Sequence, residues 1–462
     1  VDYVAVVFIV AAITAVLLAS GVGASVGSGI ESAVCRVASA ECDRDAARDL
    51  GDAGGPAGTE TSRPAVGGEQ GERRTDPSEA PSPPTGGPLG RGQSDGRSEA
   101  AAAEIREYLE DDSAWYKPWT WGDAEPKHPR DVLADMSAGE LDALFGELSD
   151  DETRRLLAVD GVADLVRLCA DLDLLQRLGD RAPGSIEPAL DVVRENGEKP
   201  SDPATGYAYI ENAQLYGDSS VPAMTDVTQG AISNCWWMAS MAAVAGTGDG
   251  RDLIKNMIIE NPNGTYTVRF PDGDNVTITP FFPVRSDGSL VYADPGDPPV
   301  VWPLVLEKAL AEKDGGYGAT LNRSSGEGMQ IITGESGSSH KTGKVSRSQL
   351  QGWLDEGAVV LSSISEKNAE GKTEYDQRLV AHHSYVVKGF TEDGRVELHN
   401  PWGYKHETVT MDELNKLFKR VETNPVRWSS GSSARLKVLR AELREVQLDG
   451  GLGSGLGTGE LA

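Results

Sequence analysis

The sequence predicts an α+β fold, and three observations lead there. A run of Trp, Met and Ala free of Gly and Pro follows Ser233-Asn234 and reads as a buried helix opening at Cys235. Residues 381–400 alternate as two strands around the turn residues Thr391-Glu-Asp-Gly394, which predicts an antiparallel hairpin. Ser137-Ala-Gly-Glu140 and Ser149-Asp-Asp-Glu152 both fit the capping box ahead of apolar residues at helical spacing.

Composition narrows the function classes. The 462 residues carry 43 Lys and Arg against 72 Asp and Glu, a net charge of −29. Phosphate neutralisation needs a basic surface, so nucleic acid is excluded as a partner, as is docking on anionic lipid by charge alone. The 54 glycines and 25 prolines exceed the usual share of roughly 12% and predict linker. Cys35, Cys42, Cys169 and Cys235 are too few and too dispersed for a disulfide scaffold or a zinc ribbon.

Taken in order, residues 1–25 predict a transmembrane or signal-like helix. No charged residue occurs from Tyr3 to Ile30, and the apolar run Val4–Ser20 approaches the roughly twenty residues that cross a ~30 Å hydrocarbon core. A secretory signal is the competing reading, but it carries a basic n-region, and the first Lys or Arg here is Arg36. The expected location is therefore membrane-anchored or exported, with the membrane as a partner of the N-terminal helix. Orientation stays open: Arg36, Arg44 and Arg48 favour a cytoplasmic bulk, whereas a Cys35–Cys42 disulfide would favour the outside. Residues 26–100 are rich in Gly, Pro and Ser, with too few large apolar side chains to offset ordering entropy, and predict a disordered linker. Residues 101–198 predict an acidic helical module, in which Cys169 falls on the apolar stripe Leu165, Leu168, Leu172 and Leu175. A core at 199–430 and a flexible tail at 431–462 complete the chain.

The residues suited to chemistry lie in that core. Cys235 falls in the first turn of its helix, where the dipole and free amides favour a thiolate. Gln229, six residues earlier, can turn its amide back toward the cysteine and, with the Cys235 N–H, form an oxyanion hole. A two- or four-residue hairpin loop places His383 and Asn400 on one face, with His382 and His399 opposite; a three-residue loop reverses this. Imidazole beside a side-chain amide is the arrangement that orients a base toward a nucleophile.

Gln229-Gly230, Cys235-Trp236, His383-Ser-Tyr385 and Asn400-Pro-Trp-Gly403 together resemble the catalytic core of the calpain family, papain-like cysteine proteases. Trp302-Pro-Leu-Val-Leu-Glu-Lys-Ala309, Gly315-Gly-Tyr317 and Thr333-Gly334 resemble the connecting segment of that core. The resemblance implies a two-lobe core, with the Cys helix in one lobe and antiparallel strands in the other, acting on protein or peptide substrates. By it Cys235 is the nucleophile, His383 the base with His382 as runner-up, Asn400 its orienter, Gln229 the oxyanion donor, and Trp402 a cover over the triad. It implies no cofactor for the chemistry itself and allows calcium (Ca2+), with Asp226 and Glu307 matching ligands of a first site; the second cannot be matched in the short stretch after Gly403. The competing reading of the two acids is a solvated turn residue and a helix ion-pair partner. No EF-hand pattern occurs. Two other readings stand beside the endopeptidase: acyl transfer or deamidation by the same triad, and a pilin-like interaction protein with an inactive protease-like domain.

Overall fold

The computed structural model describes residues 95–111, 126–192, 203–362 and 378–427. The apolar segment 1–25, Cys35 and Cys42, the linker up to residue 94 and the tail 431–462 lie outside the described residues. Among those described, no helix is long and apolar enough to cross a membrane. Contacts divide the chain into two units, with a boundary between Leu174 and Leu175.

The first unit is helical. Helix α1 (Asp95–Asp111) starts inside the stretch predicted as linker. Local composition misled there, because the helix is held by tertiary contacts: Ser98 is buried and donates to the Glu140 carbonyl at 3.1 Å, and Ala101 and Ala102 are buried beside it. After α2 (Pro129–Leu133), helices α3 (Ala138–Glu147) and α4 (Asp150–Leu157) both open on the predicted capping boxes, with the Ser and Glu side chains reciprocally bonded. Each box satisfies amides that a helix start leaves without partners. Leu141, Leu144 and Phe145 face inward, as their spacing requires. On α5 (Val162–Cys169), Cys169 is buried among Val162, Leu165 and Val166. Helix α6 (Leu172–Arg181) spans the boundary.

The second unit carries the α+β core. Strand β1 (Gly206–Tyr209) pairs with β5 (Phe281–Val284), and β2 (Ile258–Glu260), β3 (Tyr266–Arg269) and β4 (Asn275–Ile278) form a three-stranded antiparallel sheet. Among them lie helices α7 (Cys235–Ala245) and α8 (Gly248–Met257), followed by α9 (Trp302–Asp314) and α10 (Ser325–Thr333). Every residue of α7 from Trp236 to Ala245 is buried, which is why the helix is apolar on all sides. The remaining strands, β6 (Ser338–Lys341), β7 (Ala358–Ser362), β8 (Ser384–Phe390), β9 (Val396–His399), β10 (Glu407–Val409) and β11 (Arg420–Asn424), make one antiparallel sheet in the order β10-β9-β8-β7-β11-β6. Helices α11 (Arg347–Glu356) and α12 (Met411–Leu417) belong to this half.

Strand alternation buries both faces of the large sheet. Val360 and Val386 join the core around α7, whereas Val359, Leu361, Tyr385 and Val387 join a second core with Leu350 and Leu414. Helix α7 lies against β7 and β8, so its first residue comes close to the residues that open β8. The segment ahead of residue 199 also packs on this unit. Lys308, fully buried on α9, ion-pairs with Glu187 and donates to the carbonyls of Thr279 and Phe281 at 3.1 and 2.6 Å. A buried ammonium persists only with such partners.

Candidate active site

Cys235 is the first residue of α7, preceded by Asn234 at the N-cap. Its thiol meets the free amides of the helix start and accepts hydrogen bonds from the Ser384 backbone and hydroxyl. Burial nevertheless dominates and pushes the thiol above its ordinary range, with those hydrogen bonds opposing the rise.

His383 and Asn400 meet through a register that the loop alone would have broken. Thr391 and Arg395 close a three-residue loop with Gly394 at φ 86°, and at that end Phe390 pairs with Val396 and Gly389 with Glu397. A β-bulge at Lys388 then shifts the register by one, so that Val387 pairs with Leu398 and Val386 with His399. Carried onward, this restores the shared face, because a one-residue shift exchanges the two faces of a strand. The His383 Nε2 lies 2.8 Å from Asn400 Oδ1 in buried surroundings. His382 is exposed, with φ 51°.

The tautomer follows from the neighbours. Trp402 N–H donates to Asn400 Oδ1 at 3.0 Å, which fixes that atom as the amide oxygen. The His383 Nε2 must then be the donor, leaving Nδ1 with its lone pair as the proton acceptor of the neutral ring. Burial pushes the His383 pKa down to about 4, against the raising effect of Asn400. Tyr385 meets the imidazole edge-on at 5.2 Å, and the Trp402 ring covers it at 4.9 Å.

Gln229 sits where the two halves touch: its N–H donates to the Pro401 carbonyl at 2.8 Å. Its side-chain Nε2 donates to the Ile232 carbonyl at 2.6 Å, which uses one amide proton and leaves the other. Gly230 beside it has no room for a side chain, since a Cβ would fall 1.6 Å from the Tyr292 carbonyl oxygen.

Residues 208–422 match the family model described as calpain family cysteine protease. This stretch belongs to the calpain family. Among curated relatives, a calpain of Schistosoma mansoni is 29% identical over 202 residues, 39% of this chain and 26% of that protein. The human calpain-1 catalytic subunit is 25% identical over 236 residues, 46% of this chain and 32% of that protein. Mouse calpain-8 is 27% identical over 199 residues, 39% and 28% of the two chains. The chain thus spans about a third or less of the length of these relatives.

In this calpain-family domain the two candidate calcium ligands are engaged inside the protein. Asp226 Oδ2 accepts the Ala223 N–H at 2.8 Å and the Trp302 indole N–H at 2.7 Å. Glu307 is 2% exposed; its two oxygens accept Asn234 Nδ2 at 2.7 Å and the Ala293 N–H at 3.1 Å. Burial pushes the Glu307 pKa up to about 7. Among the described residues no group of three or more His, Cys, Asp or Glu could hold a metal ion. As arranged, the pair does not fit a cation that takes six or more oxygen ligands. Asp226 is a half-buried turn residue, as the competing reading had it, whereas Glu307 is buried on hydrogen-bond donors and makes no ion pair among the described residues.

Two residues of the calpain-family domain escaped the sequence reading. His406 accepts the Asn400 N–H through Nδ1 at 3.1 Å and stacks on His399, a contact six residues along that no motif announces. Ser384 follows His383 in sequence and lies against the Cys235 thiol. Its oxygen accepts from the Ser325 hydroxyl at 3.2 Å, which leaves its own proton available to favour a Cys235 thiolate. A hydrogen bond to a charged group is worth about 1.5–3 kcal/mol. Ser384→Ala is therefore expected to raise the pH midpoint of Cys235 alkylation by about one to two units. Rates with iodoacetamide across pH provide the measurement, and an unchanged midpoint would remove Ser384 from this role.

Proposed function

We propose that the calpain-family domain is a cysteine endopeptidase acting through Cys235, His383 and Asn400. The supporting observation is the His383–Asn400 hydrogen bond, whose tautomer leaves Nδ1 as a base beside the strand that the cysteine helix packs on. Nδ1 takes the Cys235 proton, and the thiolate attacks the peptide carbonyl. The developing oxyanion is held by the Cys235 N–H and the remaining Gln229 amide proton. The imidazolium then protonates the leaving amine as the C–N bond breaks, and water, deprotonated by His383, releases the acyl group from sulfur. Asn400 keeps the ring oriented throughout, and Trp402 shields the His383–Asn400 pair from water. No step is routed through a metal ion.

At rest both reacting groups are held neutral, since burial lifts the thiol and depresses the imidazole. Proton transfer thus awaits a more polar surrounding, which a bound peptide and its amides supply. The test is labelling of the full chain by a thiol-directed peptidyl electrophile, in calcium and in chelator, together with analysis of new protein N-termini. Labelling and new N-termini are expected. Absence of labelling under both conditions would sink the protease reading, and amide transfer or deamidation without new N-termini would reassign the acyl acceptor.

A further inference from the structure

We propose that Asp226 and Glu307 form an internal clamp on the loop carrying Gln229, aligning it with Cys235, instead of serving as metal ligands. The proposal rests on the protease reading above. Both ends of loop 223–234 are tied to one helix. At the first residue of α9, the Trp302 indole reaches Asp226, whose same oxygen holds the Ala223 amide. Five residues on, about 7.5 Å along the axis, Glu307 holds the side chain of Asn234, the residue before the nucleophile.

The clamp also reaches the far side of the loop. Through its second oxygen Glu307 fixes the Ala293 amide. The chain at 291–294 in turn runs along the Gln229 loop: the Ala231 N–H donates to the Val291 carbonyl at 2.8 Å and the Asp294 N–H to the Thr228 carbonyl at 2.9 Å. One carboxylate thereby sets the position of the nucleophile's N-cap and of the chain that backs the oxyanion donor. At Glu307 a hard cation would compete with a donor on each oxygen, and at Asp226 with the two donors on Oδ2. The arrangement matters because an oxyanion hole acts only when its donors are held in place beforehand, and a misplacement of about 1 Å can cost roughly 100-fold in rate.

Glu307→Gln tests this. Glutamine offers one accepting oxygen, so its NH2 either faces the Ala293 N–H, donor against donor, or forces the Asn234 amide to turn over and so re-aims the N-cap side chain. Measured on the full chain in chelator, kcat is expected to fall about 10- to 100-fold while KM for a peptide substrate stays within about twofold. Trp302→Phe, which removes the indole donor at the other end, should lower kcat in the same sense and serves if Glu307→Gln does not fold. Wild-type kcat in the folded variants would overturn the clamp. So would wild-type activity lost in chelator and restored by calcium, if Glu307→Gln abolishes the restoration. If wild type neither labels nor cleaves, the protease reading fails; if it does and Glu307→Gln matches it, only the clamp fails.

Discussion

Cys235→Ala is expected to abolish peptide cleavage, with kcat/KM falling by roughly 10⁴-fold or more. In the proposed mechanism Cys235 forms the acyl bond to the substrate. His383→Ala should cost nearly as much, because in the proposed mechanism Nδ1 both takes the thiol proton and returns it to the leaving amine. The two act as a unit, so the double variant should be little worse than either single one. The measurement is cleavage of a fluorogenic peptide by the three variants and wild type at one pH. Losses that multiply would show that His383 and Cys235 do not share a step, and activity surviving Cys235→Ala would refute the nucleophile.

His399 should make the fold acid-sensitive. It is buried beneath the site and stacked on His406, and burial, followed by the charges of His406 and Lys388, pushes its pKa from 6.5 to about 4. The unfolded chain binds a proton as pH falls through about 6.5, whereas the folded chain does not until about 4. The stability contributed by the neutral ring is therefore complete above about 6.5 and declines as pH drops toward 4. At about 1.4 kcal/mol per unit this amounts to roughly 3 kcal/mol. Glu307 carries the opposite sign, since its raised pKa contributes stability below about 4.5 that is lost as pH rises through about 7. Comparing wild type with His399→Phe isolates the histidine from such groups. The stability difference, from urea unfolding at several pH values, should shift by about 3 kcal/mol in favour of the variant between pH 7 and 4. A difference independent of pH would contradict the buried neutral ring.

Much of the fold was legible because its signals are local. Ser137 and Ser149 bond to glutamates three residues away, so their capping boxes needed no tertiary partner. Helix α7 was legible for a similar reason: an unbroken apolar run that starts at a polar N-cap has few other uses. The start of α1 at Asp95 was not legible, because Ser98 finds its partner at Glu140, far along the chain. The same holds for Glu187, whose Gly- and Pro-flanked setting hides a partner on α9.

The sequence alone supplied the candidates for the proposed site: a cysteine at a helix start, a histidine and an asparagine on neighbouring strands, and a glutamine six residues before the cysteine. Residue type and spacing encode what a side chain can donate or accept. Tertiary structure alone decided how these groups are held. The loop between Thr391 and Arg395 has three residues, and only the bulge at Lys388 returns His383 to the face of Asn400. Likewise, Asp226 and Glu307 read as metal ligands by position, yet both Glu307 oxygens are held by Asn234 and Ala293 and Asp226 Oδ2 by Ala223 and Trp302. A carboxylate's chemistry depends on which donors surround it once water is gone, and those donors come from segments up to some seventy residues apart.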